Sequence, residues 1–377
     1  MRLTARRLNR ATLARQLLLR REPVEVAEGV RRVVALQAQE AASPYLALWN
    51  RLAPFDPAAL DAAFAGHEVI KATLMRITLH AVTAADYPPF HRAMAESLRA
   101  ARLYDRRYTQ TGLSAADADA LIPHLVEFTT ERRTNAECEA LLNVRLGTDQ
   151  PRAWWALRTF APVVHAVTGG PWSFGYRPSY LAAPLPGHAP EGREACVQRL
   201  AWRYLEGFGP ASAADLAQFT LLTRSAARDA LDAMAGQLER REGPDGSALF
   251  DVPGAPLPGE DTPCPPRLMA MWDSVLLAYA DRSRVIPPAY RALVIRRNGD
   301  VLPTMLVDGH VAGVWRPAGG GIEATAFREL PERAWQELAE EARALTSFLA
   351  ARDPAVYRRF AHWWKELPAA EVRLLPG

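Results

Sequence analysis

The sequence has few cysteines, and the three present, Cys138, Cys196 and Cys264, lie far apart. They exclude a disulfide framework and favour a reducing compartment. No apolar run reaches the roughly 18 residues of a membrane span. The first 21 residues are rich in arginine and free of acids, as in a transit peptide, but no small-residue cleavage site follows an apolar segment. We therefore expect a cytoplasmic protein that does not contact a membrane.

The sequence also lacks the short motifs of several enzyme classes. It contains no GxSxG, Walker A loop, GxGxxG or HExxH at a plausible place, and no Cys/His cluster has zinc spacing. The eight histidines are scattered. A nucleotide-dependent motor and a zinc hydrolase are therefore poorly supported, and we expect neither a metal nor a cofactor.

Lysine is nearly absent. Only Lys71 and Lys365 are lysines, so 43 of the 45 basic residues are arginine, and the net charge is only +3. Arginine binds phosphate with a planar fork and reads guanine edges, which suits a nucleic-acid partner. GC-rich coding bias explains the same composition. The 377 residues, 49% hydrophobic and 23% charged, are typical of a folded protein of two or three domains.

Three stretches repeat one order of predicted elements. In the clearest, residues 199–253, a helix is followed by a short helix capped by Ser212, a second helix 224–234 capped by Thr223, and two strands joined by a Gly turn. This order predicts a helix-turn-helix with a hairpin wing. A second copy fits residues 113–181, where Thr134 is predicted to cap a helix over Asn135–Arg145 and Trp172–Tyr176 is predicted to form the last strand of the wing. A third copy fits the N-terminal part, where helices are predicted near Ala11–Leu19, Val24–Leu36 and Pro57–Ala65, and Val69–Val82 is predicted as strand.

The pattern changes after the third copy. No regular element is expected in the Pro-rich stretch 254–270. Asn298–Gly299 and Asp308–Gly309 then predict a three-stranded meander between Arg291 and Arg316, and the chain closes with a helix over Pro331–Leu349. The predicted fold is therefore α+β, mainly α, with three tandem winged-helix units and a C-terminal β-meander. The predicted boundaries are 1–100, 101–195, 196–256, 257–330 for the linker and meander, and 331–377 for a C-terminal helical segment.

Two glutamines, Gln37 and Gln39, stand two residues apart. On a helix they point to opposite faces, whereas in an extended segment they share one face. Pro44 disfavours helix at Ser43, so an extended segment is plausible and both amides could point into one cleft. The alternative is two solvated polar residues at a helix end.

The two halves of the chain resemble AlkZ-type winged-helix DNA glycosylases. The N-terminal part carries the similarity in RRVVALQAQEAASPYLALWNRL and TLMRITLHAVTAADYPPF, and the C-terminal part in RLMAMWDSVLLAYADRSRVIPPAYRALV and MLVDGHVAGVWR. The family has a Gln-x-Gln or Gln-x-Asp catalytic motif, which stands here as Gln37–Ala38–Gln39. One segment departs from the family pattern, because Met271–Trp272–Asp273 stands where many members have Gln-Phe-Asp.

The resemblance implies a C-shaped arrangement of the units around a concavity. It also implies hydrolysis of the N-glycosidic bond of N7-alkylguanine in double-stranded DNA, including the unhooking of interstrand crosslinks in azinomycin-type self-resistance and DNA repair, by a monomer. A glutamine cannot act as a base, but its carbonyl accepts a hydrogen bond from water and its NH2 donates two. We therefore expect Gln37 and Gln39 to position a water in a monofunctional enzyme. No sequence feature near Lys71 indicates a lowered pKa for a Schiff-base mechanism.

Arginines are the candidate DNA contacts. Arg296, Arg297 and Asn298 fall at a predicted hairpin tip that could probe a groove. Arg224 and Arg228 lie four apart on one face of the predicted recognition helix. Arg76 and His80 could line the cleft beside Gln39. For the hairpin and the helix a solvated surface is the alternative.

Two other functions fit the same elements. A winged-helix transcription regulator would bind a specific operator without chemistry, and a scaffold or drug-sequestering protein would need no DNA. Release of free alkylguanine from damaged duplex distinguishes the enzyme from both.

Overall fold

The computed structural model describes residues 2–184 and 192–377. Its α-helices in that range are α1 (Ala5–Arg15), α2 (Val26–Val33), α3 (Ser43–Trp49), α4 (Pro57–Ala65), α5 (Tyr87–Leu103), α6 (Arg106–Thr109), α7 (Ala115–Phe128), α8 (Asn135–Leu146), α9 (Pro151–Phe160), α10 (Arg193–Phe208), α11 (Ala213–Thr220), α12 (Arg224–Ala233), α13 (Arg291–Val294) and α14 (Glu332–Ala350). Its strands are β1 (Leu36–Gln37), β2 (Val69–Thr73), β3 (Leu79–Thr83), β4 (Arg133–Thr134), β5 (Val163–Ala166), β6 (Ser179–Ala182), β7 (Glu239–Glu242), β8 (Ala248–Asp251), β9 (Arg267–Leu268), β10 (Thr304–Val307), β11 (His310–Ala318), β12 (Gly321–Ala326) and β13 (Glu371–Leu375). None of the helices described combines the length and apolarity that crossing a membrane requires.

Three successive units share one topology. In the first, α2, β1, α3, α4, β2 and β3 follow one another and the sheet order is β1-β3-β2. The second repeats this order with α7 to α9 and the sheet β4-β6-β5. In the third, a bridge from Ala211 to Phe250 of β8 takes the place of the first strand beside α10, α11 and α12. The repeat confirms the predicted tandem winged helices in a mainly helical α+β chain.

Side-chain caps explain why several of these helices begin where they do. Ser114, Thr134 and Ser212 each form a reciprocal capping box with the acidic residue three positions later, which satisfies free N–H groups in the first turn. The Thr223 side chain accepts a hydrogen bond from the N–H of Ala226 and caps α12. The caps predicted at Thr134, Ser212 and Thr223 are therefore confirmed.

Several predicted elements of the first two units are wrong. Val69–Val82 is two antiparallel strands joined by a 3-10 turn at Met75–Ile77, because Arg76 and Ile77 both adopt positive φ there. The helix α3 was not predicted, although Pro44 fits its first turn, where a missing N–H costs nothing. In the second unit Trp172–Tyr176 is not a strand, and β6 pairs with β5 instead.

The C-terminal region is a five-stranded antiparallel sheet of order β13-β12-β11-β10-β9 covered by α14. The predicted turn at Asp308–Gly309 joins β10 to β11, and the predicted last helix is confirmed as α14. Three predictions are wrong here. Arg291–Val294 is a short helix, Arg267–Leu268 forms β9 inside the Pro-rich stretch, and the segment 331–377 is not only helical because it supplies the edge strand β13.

A buried ion pair joins the C-terminal region to the first unit. Arg51 and Asp273 each have a side chain only 1% exposed. Both terminal nitrogens of the Arg51 guanidinium, Nη1 and Nη2, donate to the Asp273 carboxylate at 2.8 Å. The next residue, Ser274, donates from its hydroxyl to the carbonyl of Ala35 at 2.8 Å. Asp273, in the segment that departs from the family pattern, therefore anchors Arg51, and its neighbour Ser274 holds the chain just before β1.

Candidate active site

The segment with the two glutamines enters the first sheet through a strained turn. α2 ends at Val33, and Val34 has φ 72°, a conformation that a β-branched residue rarely adopts and that costs about 1–3 kcal/mol. Gly207 of α10 makes room for this turn, since a Cβ there would lie 2.5 Å from Cγ2 of Val34. The turn directs the chain out of the helix and into β1 beside β3.

The two amides have different surroundings. Gln37 is extended in β1 but only 3% exposed, and its Oε1 accepts the backbone N–H of Gln39 at 2.9 Å. Gln39 is exposed, and its Oε1 accepts the N–H of Leu79 at 3.4 Å. The extended conformation is confirmed for Leu36–Gln37, whereas Gln39 lies in a bend after β1. The expectation that both side chains open onto one cleft is wrong for Gln37, because its amide folds back to accept the N–H of Gln39.

Gln39 lines a cavity of about 640 Å³, within the usual range of ligand sites. The first unit supplies one wall through β2 and β3, and the second unit supplies another through α9, β5 and the loop before β6. A third wall comes from the segment 353–359 after α14. The third winged-helix unit contributes no residue to this lining among those described.

The cavity is electropositive. Five basic side chains line it against two acidic ones, and these are Lys71, Arg102, Arg158, Arg358 and Arg359 against Glu40 and Asp353. Glu40 is bound by Arg359. An excess of positive charge in a concave site attracts the phosphate backbone of nucleic acid.

Lys71 lies in β2 on the cavity wall and is only 6% exposed. Its Nζ sits 4.4 Å from the centre of the Phe174 ring, and in the described part of the chain it has no carboxylate partner. Burial lowers the pKa of its amine from 10.5 to about 7. This corrects the sequence-based view that nothing near Lys71 lowers its pKa.

His165 of β5 stands on the same wall and stays neutral. Burial, followed by the positive charges of Lys71 and Arg158, lowers its pKa well below 6.5. Its ring contacts Tyr180 at a centroid distance of 4.8 Å. His165 is therefore a neutral hydrogen-bonding group at neutral pH.

A polar network positions the loop that carries Phe174, the aromatic residue above Lys71. The Asp61 carboxylate accepts hydrogen bonds from the hydroxyls of Tyr45 and Ser173 at 2.5 and 2.6 Å, and from Arg352 at 2.6 Å. The adjacent Phe174 packs edge-on against Phe64 at 4.8 Å. The loop over the cavity is thus fixed from the first unit and from the chain after α14.

The prediction that Arg76 and His80 line the cavity is wrong. Arg76 stacks on Phe219 of the third unit at 5.2 Å and approaches Nε2 of His80 at 3.4 Å. His80 is fully buried, and its pKa is lowered by burial to about 3, so it cannot contact DNA from this position. The cause is the sheet pleat, since His80 pairs with Gln37 and Ala72, on the face opposite Lys71.

The other predicted DNA contacts lie outside the cavity. Arg224 and Arg228 are exposed on α12, as expected for one helix face. Arg297 and Asn298 are exposed in a tight turn, while the Arg296 guanidinium stacks on Trp363 at 4.5 Å. The structure brings neither group to Gln39, so their contact with DNA stays a prediction.

Sequence reasoning missed most of the cavity wall. Lys71, His165 and Arg158 stand on β2, β5 and α9, and no spacing in the chain links them. Only the rarity of lysine could have drawn attention to Lys71. In the part of the chain that the structure covers, no three His, Cys, Asp or Glu side chains stand close enough to hold a metal.

Comparisons with known proteins agree with this architecture. The profile of the family described as DNA glycosylase AlkZ-like matches residues 30–348. The Streptomyces sahachiroi DNA glycosylase AlkZ is similar in fold, with a TM-score of 0.77 and 19% identity over 90% of this chain and 95% of that one. No curated protein matches. Because the family profile covers most of the sequence, the chain belongs to the AlkZ-like DNA glycosylases, enzymes that act on N-glycosyl bonds in DNA.

Proposed function

We propose that the chain excises N7-alkylguanine from double-stranded DNA, including guanines tethered in interstrand crosslinks, as a monofunctional glycosylase acting as a monomer. The observation that carries the proposal is the exposed amide of Gln39 on the wall of an electropositive cavity. An amide carries no charge at neutral pH, so the group beside the reacting bond is neutral.

A neutral amide suits a substrate that is already activated. Alkylation at N7 makes guanine cationic, so the base leaves as a neutral molecule without an acid. The carbonyl of Gln39 has a second lone pair besides the one facing Leu79, and it can accept a hydrogen bond from water. The water then directs its own lone pair at C1′ of the sugar.

Gln37 has a positioning role in this proposal. Its carbonyl holds the N–H of Gln39, and Ser274 holds the carbonyl of Ala35 two residues before Gln37. Both contacts fix the backbone from which the Gln39 amide projects. A site held rigidly in this way loses little entropy when the substrate is aligned.

The location of the cavity supports action on a tethered base. A crosslinked guanine cannot swing freely into a closed pocket, as glycosylases usually require. Here the lining comes from three separate parts of the chain, and Tyr176 on its rim is 95% exposed. Such a site admits a base that stays close to the duplex.

A glycosylase assay tests the proposal. The full chain is incubated with duplexes that carry one 7-methylguanine or one crosslink between N7 atoms, and the free base and the unhooked strands are measured. Release of 7-methylguanine with an intact abasic strand is expected. Binding of the damaged duplex without release of any base would favour the regulator or the scaffold instead.

A further inference from the structure

The proposed site lacks an obvious proton acceptor. A water that attacks C1′ must lose a proton, and the amides of Gln37 and Gln39 cannot take it at neutral pH. Glu40 is engaged by Arg359, and Asp61 by Arg352, Tyr45 and Ser173. Asp353 accepts the indole N–H of Trp172 at 3.3 Å and the N–H of Ala355 at 3.0 Å. Burial lowers the pKa of His165 well below 6.5, which makes it a weak base.

The sheet register brings Lys71 close to Gln39. Lys71 pairs with Ala81, and Leu79 lies two residues along β3 on the same face. Such diagonal neighbours are about 7–8 Å apart, and the amide oxygen of Gln39 is 3.4 Å from the N–H of Leu79. Lys71 and Gln39 therefore approach the cavity from the two sides of β3, and both side chains line it.

We infer that the Nζ of Lys71 is the proton acceptor for the water that Gln39 orients. The inference rests on the proposed glycosylase function. In the step, the water oxygen bonds to C1′ while the bond from C1′ to N9 breaks. The bonding electrons move into the cationic guanine, which leaves neutral, and one water proton moves to Nζ.

Charge balance favours this step. Before it the positive charge lies on the alkylated base and Lys71 is neutral, and afterwards the base is neutral and Lys71 is protonated. The site therefore keeps the same net charge. A cationic base beside the amine also repels a proton on Nζ, which reinforces the pKa of about 7 that burial gives it.

The groups around Lys71 supply no negative charge to its amine. His165 faces it from β5 and Arg158 from α9, the elements that pack against β2 together with α4 and β3. Asp61 of α4 is held by Arg352, and His80 of β3 lies on the opposite face of the sheet. No described carboxylate pairs with Nζ, so nothing restores its ordinary basicity.

The test is the pH dependence of single-turnover release of 7-methylguanine between pH 5.5 and 8.5. The wild-type rate is expected to rise about tenfold per pH unit below 7 and then to level. Lys71→Met and Lys71→Gln should each lose about 10²-fold or more at pH 8 and show a flat profile, since a general base contributes about 10²–10⁴. Lys71→Arg, which stays charged, should behave like them.

Lys365→Met is the matched control, because Lys365 is the other lysine of the chain and is exposed. It should keep the wild-type profile. A Lys71→Met enzyme with the wild-type pH profile would overturn the inference. So would a borohydride-trapped enzyme–DNA species that depends on Lys71, because the amine would then be a nucleophile.

Failure of the proposed function gives a different result. In that case the wild-type protein binds DNA but releases no 7-methylguanine at any pH. The proposed role of Lys71 would then be wrong as well. Circular dichroism of each variant shows that a lost rate is not a lost fold.

Discussion

The two faces of the sheet β1-β3-β2 each hold a buried basic group, but only one face opens onto a cavity. Lys71 lies on the open face and lines the same cavity as Gln39, whereas His80 lies on the other face beside Arg76, which stacks on Phe219. Burial lowers the pKa of both groups. The comparison shows that a shifted pKa alone does not identify a catalytic group, because access for substrate is needed as well.

The largest effect is expected on the open face. Gln39→Ala should lower single-turnover excision by about 10²–10³-fold, the usual loss when one positioned polar group is removed from an active site. Because Gln39 is exposed, the free energy of unfolding should change by less than about 0.5 kcal/mol. Gln336→Ala on α14, also exposed, is the control and should change neither quantity.

Gln37→Ala sharpens the contrast within the motif. It should lower the excision rate and also lower the free energy of unfolding by about 1–3 kcal/mol, since it leaves the N–H of Gln39 without its acceptor. Single-turnover excision rates and urea unfolding of both variants show which glutamine orients the water and which one fixes the backbone. Loss of activity in Gln37→Ala but not in Gln39→Ala would reverse the assignment.

Lys71, on the open face, should make the free energy of unfolding depend on pH. In the unfolded chain Lys71 holds its proton up to about pH 10.5, but in the folded chain only up to about pH 7. Between these values the unfolded state binds more protons, so stability rises with pH. Lys71→Met should raise the free energy of unfolding at pH 7 by on the order of 2 kcal/mol and flatten that rise.

Urea unfolding at pH 7 and pH 9.5 measures this effect, with Lys365→Met as the variant that should follow the wild type. Equal slopes with pH for wild type and Lys71→Met would mean that Lys71 keeps its proton in the folded protein.

On the other face of the sheet, His80 should make the free energy of unfolding depend on pH below neutrality. His80 has a folded pKa of about 3 against an ordinary 6.5, so the unfolded state binds more protons between these values. Stability is full above pH 6.5 and falls as pH drops toward 3. His80→Leu should reduce the loss between pH 7 and 5 by about 1–2 kcal/mol.

Unfolding curves at both pH values test this prediction, and the exposed His362→Leu serves as the comparison variant. Excision per folded molecule should stay near the wild-type rate in His80→Leu. A large loss of rate at full folding would show that the sealed face takes part in the chemistry.

The smallest effect concerns DNA contacts outside the sheet. Reversing Arg296 and Arg297 to Glu should weaken binding and reduce the slope of log affinity against log salt by about 2, if each contacts one phosphate. Arg333 and Arg343, exposed on α14, provide a matched double reversal. An unchanged slope would remove the hairpin from the DNA interface and leave the open face as the main contact.

Local signals predicted the repeated units well. Thr134, Ser212 and Thr223 cap helices at the predicted positions, and Pro57–Ala65 is the predicted helix. The errors fall where tertiary contacts decide conformation. Arg76 and Ile77 turn a predicted strand into a hairpin, and β13 joins a sheet whose other strands lie about 45 residues or more earlier in the chain.

The sequence by itself determined the capped helices and the winged-helix repeats, because capping, periodicity and proline act over a few residues. Only the tertiary structure decided that Gln39 opens onto the cavity while Gln37 is buried, that His80 is buried on the opposite face of the sheet, and that Lys71 lines the same cavity as Gln39. Those outcomes depend on strand register and on walls from distant parts of the chain, and one residue of register moves a side chain to the other face.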